Sequence, residues 1–90
     1  MTKRVVITGL GAISPIGNTV EETWKGIKEK KCGIDEITLF DTSNLKTKLA
    51  AEVKDFDPSQ HLDPKQVKRL DRVSQFAIVA AKEAWNDSKL

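Results

Sequence analysis

The strongest constraint on the fold is a run of three consecutive β-branched residues near the N-terminus, Val5, Val6 and Ile7. Such a run predicts a strand over residues 4–8, and its lack of polar alternation is typical of a strand buried on both faces of a parallel sheet. A loop punctuated by glycine and proline follows over residues 9–17. The pattern therefore indicates an α/β fold in which both faces of this strand are covered by protein.

A first helix is predicted over residues 20–31, shortly after this loop. Thr19, with Glu22 three positions later, forms a capping box that is typical of a helix N-terminus. Lysines are concentrated near the other end, and Gly33 is the expected residue just beyond it, because glycine readily adopts the left-handed conformation found there. We therefore expect one short helix with a polar cap and a glycine stop.

The middle of the chain carries weaker patterns. Residues 33–48 are predicted to be irregular, with a turn over residues 41–44, where the sequence reads Asp-Thr-Ser-Asn. Residues 49–53 predict a short strand. An irregular segment with one short strand is therefore expected between the two helical regions.

A second helical pattern extends from Asp63 to about residue 86 and predicts a long, buried helix. Asp63 can cap it and Pro64 suits the first helical position, while a break is expected near Leu70. Residues 77–81 (AIVAA) are apolar nearly all round the helix, which is typical of a helix enclosed by protein on every side. A chain of this size buries only about 60–65% of its unfolded surface, so we expect it to be part of a larger protein.

Composition and charge exclude several classes of function. The chain has 15 Lys and Arg against 13 Asp and Glu, a formal net charge of +2 that predicts no nucleic-acid binding. The single cysteine, Cys32, closes no intrachain disulfide, and no apolar stretch approaches the ~18 residues of a membrane span. We therefore expect a cytoplasmic protein that does not enter a membrane.

The chain has one cysteine, Cys32, and one histidine, His61, which are too few to form a zinc site. An unreactive thiol is favoured over a catalytic nucleophile at Cys32.

The glycine loop partly matches the dinucleotide fingerprint G-x-G-x-x-G. Gly9 and Gly11 occupy the first two positions, but Ser14 replaces the third glycine and Pro15 disfavours helical geometry at that point. The helix start at Thr19 is displaced from the place where a pyrophosphate would bind. A structural loop is favoured, and a nucleotide-binding α/β unit stays open as the weaker alternative.

Four basic residues form the most distinctive charged pattern. Lys65, Lys68, Arg69 and Arg72 are spaced i, i+3, i+4 and i+7, so they share one face if the helix is continuous. Such a face could bind a phosphate or an acidic partner helix. The alternative is an ordinary solvated face without a partner.

Several segments, in the same order along the whole chain, resemble the type II β-ketoacyl-acyl-carrier-protein synthases, which are condensing enzymes of the thiolase-like superfamily. The segments are residues 4–18 (RVVITGLGAISPIGN), 40–43 (FDTS), 53–57 (VKDFD) and 68–72 (KRLDR) leading into 74–77 (SQFA). Each motif alone is modest, but their order makes the resemblance specific.

The resemblance implies a thiolase-like fold with a layered αβαβα core, in which residues 1–90 form an incomplete N-terminal part of the first half, without an internal boundary. It implies a homodimeric acyltransferase of fatty acid biosynthesis that condenses malonyl-carrier protein with an acyl thioester by a decarboxylative Claisen reaction. No cofactor is implied, since the acyl chain arrives on the phosphopantetheine arm of the carrier protein.

The resemblance also implies where the functional residues lie. The cysteine and two histidines of the family fall beyond the counterpart of Leu90, so no catalytic residue is expected here and the chain alone should be inactive. By position, Lys65, Lys68 and Arg69 correspond to basic residues that dock the acidic acyl carrier protein, whereas Arg72 corresponds less securely. A stand-alone binding module for an acidic protein partner remains the alternative from a different functional class.

Overall fold

The computed structural model describes residues 3–90. In chain order it contains α1 (Val20–Lys28), β1 (Ile34–Glu36), β2 (Leu49–Ala51), a 3-10 turn (Pro58–Gln60), α2 (Pro64–Arg69) and α3 (Arg72–Ser88). These elements form two compact units. The α3 unit comprises residues 3–12 and Asp57–Leu90, and the α1 unit comprises Ile13–Phe56.

The predicted strand over residues 4–8 is not formed among the described residues, so this prediction is wrong for residues 3–90. Val5 and Ile7 are 94% and 82% exposed. A strand exists only through hydrogen bonds to a neighbouring strand, and the part of the chain that the structure describes pairs only β1 with β2 in a sheet. The β-branched run therefore has the composition of a buried strand, but among the described residues it has no neighbouring strand to pair with.

Residues 9–12 pack directly against the backbone of α3. A Cβ atom on Gly9 would overlap the carbonyl oxygen of Ala84 and lie 2.7 Å from the backbone nitrogen of Ser88. A Cβ on Gly11 would overlap the carbonyl oxygen of Ala80. The two glycines thus permit a close approach between a chain segment and a helix, which no residue with a side chain could match.

Two carboxylates on α3 fix this contact. The backbone N–H of Leu10 donates to Asp87 at 3.1 Å, and that of Ala12 donates to Glu83 at 2.9 Å. Glu83 and Asp87 are four positions apart on the helix and therefore project from the same side. Leu10 lies between the two glycines and Ala12 follows the second one. Their N–H groups consequently bond to carboxylates on two successive turns of α3.

The long helix predicted from the second pattern is confirmed as α3, which ends at Ser88. Its burial is predicted within a larger protein, and residues 3–90 alone do not provide it: Trp85 is 61% exposed and Ala77 is also exposed. Only Gln75 and Val79 are buried along the helix. An all-round apolar helix needs protein on every side to be enclosed, and residues 3–90 do not surround it.

The cap predicted for α1 is confirmed. The backbone N–H of Glu22 donates to the side-chain oxygen of Thr19 at 3.1 Å. The Glu22 carboxylate accepts a hydrogen bond from the backbone N–H of Asn18 at 3.2 Å. In a standard capping box the donor would be the N–H of the next residue, Thr19. Local polar residues therefore define where α1 begins.

The predicted glycine stop at Gly33 is wrong. The helix ends at Lys28, and Lys30 adopts the left-handed conformation with φ 57°. The N–H of Lys30 donates to Ile27 at 3.0 Å and that of Lys31 to Gly26 at 2.9 Å, the pair of bonds that defines a Schellman motif. These bonds satisfy carbonyl groups at the end of α1, so the helix ends three residues earlier than predicted. Lys30 occupies the left-handed position that glycine prefers.

The α1 unit also contains a two-stranded antiparallel ladder. Ile34 lies opposite Ala51, and Glu36 lies opposite Leu49. The strand predicted over residues 49–53 is confirmed as β2, whereas β1 lies in a segment predicted to be irregular. The turn predicted over residues 41–44 is confirmed by hydrogen bonding at both of its ends.

Candidate functional site

The predicted basic residues lie on α2, a helix of six residues whose ends are set by polar side chains. Asp63 caps it as predicted, accepting the backbone N–H of Gln66 at 2.9 Å, and Pro64 occupies the first turn. The predicted break is confirmed at Leu70, whose φ of −97° and ψ of 140° are extended. Asp71 then caps α3 by accepting the N–H of Ser74 at 2.9 Å.

The break separates the four predicted cations into two groups. Lys65, Lys68 and Arg69 lie on α2, at the i, i+3 and i+4 spacing that places side chains on one helical face. Arg72 is the first residue of α3 and therefore does not extend that face, because the continuous helix assumed for it is interrupted. Its guanidinium lies 4.9 Å from the centre of the Phe76 ring, within the range of a cation–π contact.

The basic face, which we define as Lys65, Lys68 and Arg69, is accessible and uncompensated. All three side chains are exposed, and none makes a hydrogen bond or ion pair with another residue in the described part of the chain. Helix α2 contains no acidic residue. The face can therefore attract a negatively charged surface without first breaking an internal ion pair.

The nearest acidic residues in sequence, Asp63 and Asp71, act as helix caps and form no ion pair with the basic face in the described part of the chain. The carboxylate of Asp71 accepts a hydrogen bond from the backbone N–H of Ser74 and another from the Ser74 hydroxyl. Both hydrogen bonds lower the pKa of Asp71, the backbone one more strongly. Asp63 is directed in the same way at the backbone of α2. Lys68 and Arg69 also lie in the last turn, where cations stabilise a helix C-terminus, so part of their role is structural.

Sequence reasoning missed Gln75, a buried polar residue in the first turns of α3. Only 8% of its surface is exposed, and its side-chain amide donates to the carbonyl oxygens of Val67 and Leu70, both at 3.2 Å. The one signal in the sequence was an uncharged polar residue within an apolar helical pattern. That signal does not show which backbone groups the amide reaches.

The remaining candidates form no reactive centre. The Cys32 thiol is exposed and lies 3.8 Å from the carbonyl oxygen of Ile34. The carbonyl of His61 accepts a hydrogen bond from Lys82 at 3.1 Å. Among residues 3–90, no group of three or more His, Cys, Asp or Glu side chains is arranged to hold a metal ion. In the same range, no helix has the length and apolar character required to cross a membrane.

The geometry contradicts the nucleotide interpretation of the glycine loop. Gly9 and Gly11 face the backbone of α3, and the N–H groups of Leu10 and Ala12 already donate to carboxylates. A phosphate at this position would have to displace those bonds and approach two negative charges. The glycines therefore serve packing and leave no cradle for an anion.

A cleft of about 150 Å³ in the α1 unit is poorly suited to binding a charged ligand. It is lined by residues 14–18, Glu22, Lys31, Lys54 and Asp55, so its two cations and two carboxylates balance. The Lys54 ammonium donates to the carbonyl oxygens of Gly33 and Glu52, both at 3.2 Å. Its charge is thus engaged in holding the loop.

The comparison with protein families decides what kind of domain this is. The family model described as the N-terminal domain of β-ketoacyl synthases matches residues 2–90. The chain belongs to this family. The resemblance predicted from the ordered motifs is therefore confirmed, and the fold of this β-ketoacyl synthase N-terminal domain is mixed α/β and thiolase-like.

Two curated relatives with the same name are similar to the chain over nearly its full length. The β-ketoacyl synthase N-terminal domain is 53% identical over 88 residues to the 3-oxoacyl-[acyl-carrier-protein] synthase 2 of a Synechocystis strain, and this match covers 98% of the chain. It is 51% identical over 88 residues to the protein of the same name from Staphylococcus aureus strain COL, with the same coverage. In each case it spans 21% of the relative's length.

A solved structure resembles the domain over its full length. The structure titled as the ishigamide ketosynthase/chain length factor superposes with a TM-score of 0.84 and 38% sequence identity. The match covers 100% of the β-ketoacyl synthase N-terminal domain and 22% of the other chain. The similarity therefore concerns one part of a larger protein in that structure as well.

Proposed function

We propose that the chain is part of a 3-oxoacyl-[acyl-carrier-protein] synthase, an acyltransferase that elongates fatty acyl chains. The family match across residues 2–90 carries this proposal, and the names of relatives with 53% and 51% identity support it. The chain spans about a fifth of the length of these relatives, 21%. The proposal therefore concerns the whole protein, to which this domain contributes scaffold and a binding face.

The proposed reaction proceeds in two stages. The acyl group is first transferred from the thioester of its carrier protein to a cysteine thiol of the enzyme. Malonyl-carrier protein then loses CO₂, the resulting carbanion attacks the enzyme thioester, and the enzyme thiolate leaves as 3-oxoacyl-carrier protein forms. Developing negative charge on the thioester oxygen has to be stabilised by fixed donors. We assign these roles to residues outside this chain and none to Cys32 or His61, and we propose no cofactor.

The basic face is the proposed docking site for the acyl carrier protein. It offers three exposed cations without a neighbouring acid on α2, which is the electrostatic complement of an acidic carrier. Opposite charges at the rim of an interface accelerate encounter and fix its orientation. The phosphopantetheine arm would then extend from the docked carrier toward the catalytic residues. The observation that carries this assignment is the absence of intrachain partners for Lys65, Lys68 and Arg69 among the described residues.

Charge reversal in the full-length protein tests the docking role. Replacing Lys65, Lys68 and Arg69 together by Glu should raise KM for acyl-carrier protein more than about tenfold, with kcat for an acyl thioester of free pantetheine unchanged. A matched control reverses three exposed lysines of the α1 unit, namely Lys25, Lys46 and Lys48. Equal effects of the two triple variants would show that only net charge matters.

Product analysis tests the activity itself. The wild-type full-length protein, given acyl- and malonyl-carrier proteins, should release CO₂ and form a 3-oxoacyl-carrier protein detectable by mass spectrometry. Carrier binding without condensation would instead support a stand-alone binding module.

We also propose that the full-length protein is a cytoplasmic homodimer. A monomeric mass in light scattering of the full-length protein would contradict the dimer.

A further inference from the structure

Helix α2 has few contacts of its own to fix its orientation. Its six residues include none that is buried, and isolated helices shorter than about 12–15 residues are marginal in water. It contacts the 3-10 turn over Pro58–Gln60. The direction in which the basic face points therefore depends on whatever attaches α2 to the rest of the α3 unit.

Gln75 supplies such an attachment. Its amide nitrogen donates to the carbonyl oxygens of Val67 and Leu70, at the C-terminal end of α2. The last four carbonyls of a helix lack intrahelical partners, and Gln75 satisfies two of them with the two N–H groups of one amide. Because the side chain is buried on the much longer α3, it joins a marginal helix to a stable one.

The residues held by this amide lie next to the cations. Val67 directly precedes Lys68, and Leu70 directly follows Arg69. Loss of the two hydrogen bonds would free the last turn of α2 and allow both cations to change direction. A buried amide whose two acceptors flank the charged pair is therefore placed to control the geometry of the basic face.

We infer that Gln75 is a positioning residue for carrier-protein docking, acting through Lys68 and Arg69 without contacting the carrier. This inference rests on the proposed docking function. It distinguishes Gln75 from a residue that only stabilises the fold, because its substitution should change affinity in a way that depends on the presence of the cations.

A double-mutant cycle on the full-length protein tests this inference, with holo-acyl carrier protein as the probe. Gln75→Met keeps side-chain length and removes both donors. It should weaken binding about threefold to tenfold in the wild-type background. In a background where Lys65, Lys68 and Arg69 are all Ala, the same substitution should leave the remaining affinity unchanged.

A stability control separates positioning from general loss of structure. Thr19→Ala removes the cap of α1 in the α1 unit and should lower Tm without weakening carrier binding. If Gln75→Met fails to fold, Gln75→Asn, which keeps the donors on a shorter stem, is measured in the same cycle. It should weaken binding in the wild-type background and leave the affinity of the triple Ala background unchanged.

The outcomes are distinguishable. An equal loss of affinity in both backgrounds, or no loss in the wild-type background, overturns the positioning role of Gln75. If the triple Ala variant itself binds the carrier as tightly as wild type, the docking function fails, and the positioning role fails with it.

Discussion

The close contact between residues 9–12 and α3 predicts that Gly11→Ala disrupts the α3 unit. The added Cβ would overlap the carbonyl oxygen of Ala80, and it would lie 2.8 Å from the carbonyl carbon of Ala80 and 2.9 Å from the nitrogen of Ala84. All these atoms belong to the helix backbone, so none can move as a flexible side chain would. The loop has to retreat from the helix to accommodate the methyl group.

The cost of that retreat follows from what it breaks. Overpacking a tight contact typically costs about 1–3 kcal/mol. Retreat also lengthens the bond from the Ala12 N–H to Glu83, now 2.9 Å, and a hydrogen bond to a charged group contributes about 1.5–3 kcal/mol. Because the two terms partly describe the same displacement, we expect a local loss of about 2–4 kcal/mol.

Hydrogen exchange of the full-length protein measures this loss at the affected position. Protection of the Ala12 amide should fall at least about thirtyfold, since each 1.4 kcal/mol corresponds to a factor of ten. Gly26→Ala is the matched control: its Cβ would meet Ile16 atoms no closer than 3.2 Å, and Ala is favoured over Gly within a helix by about 1 kcal/mol. Wild-type protection of Ala12 in Gly11→Ala would refute the proposed contact.

Three further predictions concern helix ends and are checked by urea unfolding. Lys30→Gly should stabilise by about 0.5–1 kcal/mol, because it removes the Cβ from a left-handed residue; destabilisation would contradict the observed C-terminus of α1. Thr19→Ala should destabilise by about 1 kcal/mol, because Glu22 loses its cap; an unchanged midpoint would argue against the cap. The pKa of Asp71 is lowered by the Ser74 N–H and hydroxyl, so its stabilising effect is present above the ordinary carboxylate pKa of about 4 and is lost as pH falls through the lowered value. Asp71→Ala should therefore be less stable than wild type at pH 7, this gap should shrink as pH falls below about 4, and a gap independent of pH would contradict this.

Features that depend on residues within a few positions were predictable from the sequence. The caps at Thr19 and Asp63, and the cap at Asp71 that follows the break near Leu70, all use side chains that bond to the backbone three residues away. Strand β2 was also predicted, although its Leu-Ala-Ala sequence has no β-branched or aromatic residue to favour extended structure. The basic face was also predictable, because helical spacing alone brings its members together.

Features that depend on distant partners were not predictable. The strand expected over residues 4–8 needs a neighbour that no local pattern supplies. The function of Gly9 and Gly11 in packing became visible only with α3 in place, more than sixty residues away in sequence. The stop at Gly33 was wrong because backbone bonds within the helix end, rather than the nearest glycine, determine where α1 terminates.

Direct binding of the acyl carrier protein tests the central claim, that the basic face of this domain docks the carrier. The measurement is the Kd of the full-length protein for fluorescently labelled holo-acyl carrier protein at low and high salt. Wild type should bind at least about tenfold more tightly than the variant with Lys65, Lys68 and Arg69 reversed to Glu, and the difference should shrink near 1 M salt, where charges are screened within about 3 Å. Equal affinities of the two proteins at low salt would contradict the account.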